Sequence, residues 1–567
     1  MAKKLGVPQK LIDDTVPLTC TIENSQNTQG HVEYVLRVER ATTSSWQVIR
    51  RYNDFVSLNA ALQISNVELP LPPKKIFGNM DREFVAERQI GLQNYLNAVL
   101  AHPIISSSVY VKKFLDPANY SVNYQELSLQ YVSMLIRSEP EWEVVEPMPK
   151  IGWRIKKQYF LVQNVSSIKQ KFLLSWSDSG PDRTLDDKSM QGVLKALTHL
   201  NHPHIQPMLF ASVSDSGGFV IQHLLPGGSL RDRVYKANFR HHFLAKYANP
   251  KQATPLPLGE IRSFGRQILE ALKFLSEKGF LHGHLHSGNI LVDGSVCRLS
   301  DIHNGILGLR SYYRAFFVQL RRVSSIEAID VYSFGHVLYE MAFGWPLLES
   351  TTETFSTTSP AIVSILESIL TSEACKRGLP TLSDLLSNPF FQDAPLPSTV
   401  DNGRVTLKLT AQLKEALQIA TGKTEEALKE QHKALRQLKR VIKANAILSL
   451  DNGRRKTKST KQKFQSNEKD DSTPPPSPAP TSSSMVPPPP PMCKVASEPS
   501  TPTSPPPPPP PLLTPTSLPP PPPLLTPTSP VPSPVSSGRP AFLGSIEAFS
   551  KSGLRKTQTK DRSIPNV

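Results

Sequence analysis

Between residues 16 and 51 apolar and polar side chains alternate in short runs. In HVEYVLRVER (His31–Arg40) and SSWQVIRRY (Ser44–Tyr52) the period is two, the pattern of antiparallel strands buried on one face. The proline-rich LPLPPKK follows, and then Leu92, Leu96 and Val99 recur at helical spacing. This predicts a small α+β unit ending near Tyr120. SEPEWEVVEPMPK is acidic and punctuated by prolines, and reads as a connector. Beyond it QYFLVQ and KFLLSW are strand-like, Met190, Val193, Leu194 and Leu197 form an apolar stripe at helical spacing, and 259–391 is mainly helical. Residues 407–442 predict two lysine-rich amphipathic helices, broken near Thr421-Gly422.

Composition changes the picture at the far end. Most of the 54 prolines in the 567 residues lie beyond Pro474, so the tail is expected to be disordered or polyproline II. The formal net charge of +16 favours membranes, nucleic acid or an acidic protein surface. No helix-turn-helix, zinc or RNA-recognition signature accompanies it, so nucleic acid is set aside. Cys20, Cys297, Cys375 and Cys493 form no close pair and have no metal-ligand spacing, which predicts reduced intracellular thiols and no metal site. The N-terminal stretch lacks the apolar core of a signal peptide, and His336 and Glu340 interrupt the longest apolar run, 331–348. The expectation is a cytoplasmic protein whose membrane contacts are peripheral.

IRRYNDF (Ile49–Phe55), LPPK (Leu71–Lys74) and FVAERQIGLQNYLNAVLAHP (Phe84–Pro103) together resemble the PX, or phox-homology, family of phosphoinositide-binding domains. The resemblance implies Arg51 on the 3-phosphate, Tyr52 stacked on the inositol ring, Lys74 on the glycerol-linked phosphate and Arg88 on ring hydroxyls. A planar guanidinium fork and an aromatic face suit that headgroup. Ile76, Phe77 and Met80 beside these cations are candidates to dip into the membrane interface. Phosphatidylinositol 3-phosphate or a related lipid is the implied ligand, hence endosomes and also the plasma membrane.

FLHGHLHSGNILVDGSVCRLSDIHNG (Phe280–Gly305) resembles the catalytic core of a protein kinase with several letters changed. LNHPHIQPMLF, QHLLPGGSLRD, DVYSFGHVLYEMAFGWPL (Asp330–Leu347) and LLSNPFF extend the resemblance over about 240 residues. A working kinase shows H-R-D-L-K-x-x-N and D-F-G. Here VSSIK, read as the glycine-loop position, holds no glycine. Ser175 or Trp176 stands where the strand-three lysine belongs, and the helix glutamate falls near Val193. His284 replaces the catalytic aspartate, His286 the lysine after it, and Ile302-His303 the F-G pair. Phosphoryl transfer is mostly positioning and charge neutralisation, so joint loss of these groups predicts a pseudokinase that requires no cofactor. Asn289 and Asp301 match the two metal-binding positions and are read either as local hydrogen-bonding groups or as residual magnesium–nucleotide ligands. Asp330 matches an aspartate that braces the catalytic-loop backbone.

The tail repeats L-L-T-P-T-S within proline runs (Pro505–Pro530), which suits SH3, WW, EVH1 or profilin partners. GRPAFLGSIEAFSKSGLRKTQTKDRSIP resembles the WASP-homology 2 actin-binding motif. Phe542, Leu543, Ile546 and Phe549 form the apolar helical face and Leu554, Arg555, Lys556 and Thr557 the basic element, with a spacer about two residues longer than the motif's.

The resulting architecture is multidomain. An α+β PX domain (14–126) and a linker (127–149) precede a bilobal kinase-like domain (150–392). A basic helical segment (393–465), a disordered proline-rich region (466–537) and the actin-binding motif (538–567) follow. This order resembles a small family of PX-domain pseudokinase scaffolds. The resemblance implies roles with membrane ion-transport proteins such as the sodium/potassium pump and in receptor traffic. A weak serine/threonine kinase and an actin regulator merely addressed to endosomes are the alternative functions.

Overall fold

The structure, a computed structural model, describes residues 14–464 apart from 41–43, 75–79, 216, 281, 357–358 and 395–404, with side chains as far as 444. The proline tract, the actin-motif residues 542–556 and the candidate membrane residues Ile76 and Phe77 therefore lie outside the described residues.

The alternating segments form an antiparallel sheet of β1 (Leu18–Thr28), β2 (His31–Arg40) and β3 (Ser44–Arg51), in that order. Its inward positions, among them Tyr34, Leu36, Val38 and Val48, are buried against α1 (Tyr52–Leu62), α2 (Arg82–Ala101) and α3 (Val109–Leu115). Phe55 is the pivot of this packing, with edge-on contacts to Tyr34, Tyr95 and Phe114.

The predicted linker is not one. Residues 127–149 belong to α4 (Tyr124–Ser138) and β4 (Trp142–Pro147), and both are built into the second domain. Asn123 caps α4 through its side-chain oxygen, which accepts from Glu126 N. Tyr124, Val132 and Trp142 then share an apolar cluster with Phe160, Phe172 and Trp176. The prolines Pro140 and Pro147 only bracket β4, and burial of Trp142 outweighs the acidic residues beside it.

β4 opens a five-stranded sheet of order β4-β5-β6-β8-β7, with β5 (Lys157–Asn164), β6 (Ser167–Ser177), β7 (Met208–Ser214) and β8 (Gly217–His223). This corrects a second expectation. Because β4 is the first strand, Val165 and Ser166 are only the turn joining β5 to β6. The glycine-loop position moves to 148–156, MPKIGWRIK, with Gly152 at φ +81 as its single glycine. Across the sheet, α5 (Asp187–Leu197) buries Met190, Val193, Leu194 and Leu197, the predicted stripe.

The helical lobe contains α6 (Leu230–Val234), α7 (Phe243–Tyr247), α8 (Leu258–Glu277), the hairpin β9 (Ile290–Asp293) and β10 (Val296–Leu299), α9 (Arg314–Phe317), α10 (Ile326–Phe343) and α11 (Pro360–Leu370). α10 is buried nearly all round, which explains the longest apolar run in the sequence. At Gly335 a β-carbon would stand 2.6 Å from Ile369 Cγ2, so glycine permits the close crossing of α10 and α11. Glu340 on α10 forms a buried ion pair with Arg231 at 2.9 Å and accepts from the Ser287 hydroxyl at 2.5 Å.

The break at Thr421-Gly422 does not occur. One helix, α12 (Ala411–Phe464), runs through it. Thr421 and Thr424 return their hydroxyls to the carbonyls of Leu417 and Ala420 (2.7 and 2.9 Å), while Leu417, Ala420 and Leu428 are buried on the domain. One half-buried helical glycine costs about 1 kcal/mol, less than three buried apolar side chains return at about 25 cal/mol per Å². Among the described residues no helix is long and apolar enough to cross a membrane, and no cluster of three or more histidines, cysteines or carboxylates could hold a metal ion. Cys20, Cys297 and Cys375 are free and buried.

Candidate functional site

The first site forms where β3 turns into α1. The Arg51 backbone N–H donates to Asp54 Oδ2 at 2.7 Å, which fixes the corner and leaves the Arg51 side chain about half exposed, 3.4 Å from Glu33. The Tyr52 hydroxyl donates to Pro72 O at 2.5 Å and ties the ring to the proline loop. That loop lies on α2 because residue 91 is glycine: a β-carbon there would stand 2.6 Å from the Pro72 ring. On α2, Arg88 is buried, with its guanidinium 4.3 Å from the Tyr52 ring and 4.2 Å from the Phe84 ring. Its Nε and Nη2 find no hydrogen-bond partner among the described residues. Tyr52 and Arg88 are thus brought together, with Arg51 adjacent. Lys74 is exposed on the loop, and Met80 is exposed beyond it. Sequence reasoning missed Glu33 and Phe84; a carboxylate directly across the sheet from Arg51 was the available signal.

The second site is the cleft between the lobes. Ser175 is buried on β6 between Tyr159 and Val220, where no ammonium stands. The cation comes instead from the neighbouring strand. Lys157, the first residue of β5, is fully buried, with Nζ 2.9 Å from Asp301 Oδ1, 2.9 Å from Asn304 Oδ1 and 3.3 Å from His303 Nε2. Asp301 holds a left-handed backbone, φ +59. Burial opposes its charge, but Lys157, His303 and Arg154 overcome that and hold its carboxyl below the usual range. Burial pulls the Lys157 ammonium down while Asp301 pushes it up. The signal in the sequence was a lysine immediately before the apolar run of β5. Setting the glycine loop one strand too late hid it.

The catalytic-loop positions are filled from within. The relocated loop sends Trp153 and Arg154 into the cleft. Arg154 Nη2 lies 3.4 Å from His284 Nδ1 and donates to Arg310 O at 2.7 Å. Burial, then Arg154, hold the His284 imidazole well below its ordinary pKa, so it is neutral, with Nδ1 turned to a cation. His286 accepts from Gly288 N at 3.1 Å and stacks on Tyr312 at 4.8 Å, with Trp153 edge-on at 6.4 Å. Asn289 spends both ends of its amide on the loop: Nδ2 donates to His284 O at 2.6 Å and Oδ1 accepts from His286 N at 3.0 Å. Asp330 Oδ1 accepts from Gly283 N at 2.8 Å, and burial pushes its carboxyl up to about 8. Val193 packs into the apolar core, and Leu413 of α12 lies against neighbouring Gly192.

Two further elements shape the cleft. The segment carrying α7 places Phe239, Phe243, Lys246 and Tyr247 along its wall. The same helix sends Leu244 into the core of the first domain, flanked by His102 Nε2 donating to Ala248 O (2.9 Å) and Asn249 Nδ2 donating to Asn66 O (2.6 Å). α12 lies over the segment between Asp301 and α10. Ile326 N donates to Glu425 Oε1 at 3.0 Å and Arg314 Nη2 to Gln431 Oε1 at 2.6 Å.

Three family models match the chain: the PX domain over residues 39–118, the protein tyrosine and serine/threonine kinase over 179–311, and the WH2 motif over 535–564. The PX domain-containing protein kinase-like protein of Mus musculus is 49% identical over 439 residues, which cover 77% of this chain and 75% of that one. The chain belongs to the PX domain-containing protein kinase-like family. The Slowpoke-binding protein of Drosophila melanogaster is 36% identical over 217 residues (36% and 41% of the two chains). The "Probable inactive serine/threonine-protein kinase slob1" of Dictyostelium discoideum is 29% identical over 298 (47% and 50%). In this PX domain-containing family member the kinase match begins only after β4, β5 and β6. Those are the strands around the altered loop and the displaced lysine.

Proposed function

We propose that the protein is a phosphoinositide-recruited scaffold whose kinase-like domain does not transfer phosphate. The observation that carries the lipid reading is Arg88, a buried cation between two aromatic rings whose Nε and Nη2 find no hydrogen-bond partner among the described residues. Such groups cost about 1–3 kcal/mol unless something accepts from them, and ring hydroxyls of an inositol do. Arg51 takes the 3-phosphate, Tyr52 the ring face and Lys74 the linking phosphate, while Met80 with Ile76 and Phe77 enters the interface. Arg51→Ala in the full chain is expected to weaken binding to vesicles containing phosphatidylinositol 3-phosphate by about 10- to 100-fold, the worth of a charge-assisted contact. Equal binding by a folded variant in a co-sedimentation assay overturns the assignment.

The non-catalytic reading is supported by His284, whose Nδ1 faces Arg154 in place of a substrate hydroxyl. A proton acceptor must reach the proton it removes. Kinship with the protein named "Probable inactive serine/threonine-protein kinase slob1" agrees. Full-length protein with magnesium and ATP is expected to show no labelled transfer to itself or to a general substrate. Turnover abolished by Asp301→Ala would establish the weak-kinase alternative instead. The WH2 match supports actin as a partner through Phe542, Leu543, Ile546, Phe549 and Leu554–Lys556, and kinship with a Slowpoke-binding protein supports a protein cargo. The endosomal address, the ion-pump partner and the proline-tract partners belong to the same proposal.

A further inference from the structure

Helix α12 outruns the surface that supports it. As far as His432 its inward residues are covered, and Leu428 is buried. Two turns later the cover has stopped: Val441 and Ile442 are 55% and 50% exposed, and all residues from 439 to 444 are exposed. The pattern nevertheless continues. At about 100° per residue, Leu435, Leu438, Val441 and Ile442 stay on one stripe. Lys429, Lys433, Arg436, Arg440 and Lys443 gather opposite, within less than a third of the helix circumference. From Lys429 to Lys463 the chain carries twelve lysines and arginines against Glu430 and Asp451, ten of its sixteen net positive charges.

We propose that α12 beyond about residue 433 is a second membrane-binding element, which lays its apolar stripe, half-covered at Leu435 and Leu438 and bare at Val441 and Ile442, into the interface of an anionic bilayer and reads surface charge, whatever the headgroup. A polar face rich in Lys and Arg opposite a short apolar stripe is the make-up of helices that lie in a bilayer interface. Anionic leaflets attract such clusters strongly within a Debye length. A second copy of the same helix fits less well, because pairing through the apolar stripe brings two segments of net charge +10 together with nothing to neutralise them, whereas an anionic leaflet supplies the opposite charge. This contact is independent of the PX pocket. Carried on one chain, two modest contacts reinforce each other by effective concentration.

The test uses full-length protein and phosphatidylcholine vesicles with or without phosphatidylserine, free of phosphoinositide. Wild type and Arg51→Ala are expected to bind the phosphatidylserine vesicles equally, and binding should fall steeply as salt is raised. The triple variant Lys433→Glu/Arg440→Glu/Lys443→Glu is expected to lose that binding by at least ~10-fold while melting as wild type does. It should keep its gain from phosphatidylinositol 3-phosphate in otherwise neutral vesicles. Ile442→Asp, in an exposed position, is an independent arm expected to weaken binding several-fold. Unchanged phosphatidylserine binding by the triple variant overturns the proposal. So does a wild type that ignores the vesicles and instead dimerises through this helix or captures only an acidic protein such as actin. Loss of phosphatidylserine binding in Arg51→Ala alone would assign the charge readout to the first domain, also against it.

Discussion

Replacing Lys157 by methionine is expected to destabilise the protein by about 3–5 kcal/mol, the usual cost of removing one partner from a buried ion pair. The ammonium is fully buried and touches Asp301, Asn304 and His303 at once. Methionine fills the volume of the stem but leaves a carboxylate in low dielectric with only His303 and Arg154 to offset it. Asp301 also sits in a left-handed conformation that the ion pair helps to hold. For a domain of this size the loss corresponds to a fall in melting temperature on the order of 10 °C. Pairing Lys157→Met with Asp301→Asn removes the orphaned charge and should recover much of the loss. A single variant that costs under about 1 kcal/mol, or a double variant as weak as the single, would show that the pair is not structural.

Mild acid is expected to destabilise the central domain, measured as a fall in urea-unfolding free energy between pH 7.5 and 5. His282, His303 and His336 are buried, and burial pulls their imidazoles down to about 4, 3 and 3. His336 lies flat against Tyr313 and Phe316, and neither ring nitrogen has a hydrogen-bond partner among the described residues. Groups with depressed folded-state values give stability that is complete above the unfolded value near 6.5 and is lost as pH falls towards the folded values. At pH 5 each costs about 2 kcal/mol, and His202, pulled down to about 4, with His284 and His286, held well below their usual range by burial, add to the loss in the same direction. Asp330 works in the opposite direction. Its carboxyl, pushed up to about 8, gains a proton in the folded state first, so acidification returns about 3 kcal/mol through it. Asp330→Asn keeps the oxygen that accepts from Gly283 but removes this offset, so its acid loss should exceed that of wild type by about 3 kcal/mol. Identical pH profiles for the two proteins would mean that Asp330 does not titrate in this window.

The sequence was most legible where one face of an element is buried and the other wet. β2, β3, α2 and α5 announce themselves because Tyr34, Leu36, Val38, Leu92 and Met190 must all point one way. α10 was visible for the opposite reason, being apolar on every side. Residues 127–149 were hidden because local composition and tertiary burial disagree there: four glutamates and three prolines surround Trp142, and the tryptophan decides. That one missing strand shifted the reading of the whole upper lobe, concealed Lys157, and made the loss of cations look more complete than it is. Pattern fixes which residues face inward but not which strand begins a sheet. The filling of the cleft was equally out of reach, since nothing local marks Trp153 and Arg154 as partners of His286 and His284 some 130 residues on. In the lipid pocket, motif spacing named Tyr52 and Arg88, while the Phe84 ring beneath the guanidinium needed coordinates.

The position of Leu244 has a practical consequence for anyone trimming this polypeptide. By chain order it belongs to the kinase-like lobe, yet its side chain completes the interior of the lipid-binding head. Cutting after Tyr120 would leave a gap in one fragment and a wet leucine on the other, a penalty of about 2 kcal/mol from this side chain alone. Shortened versions suited to titration or crystallisation should therefore run from residue 14 without interruption through α7 and beyond.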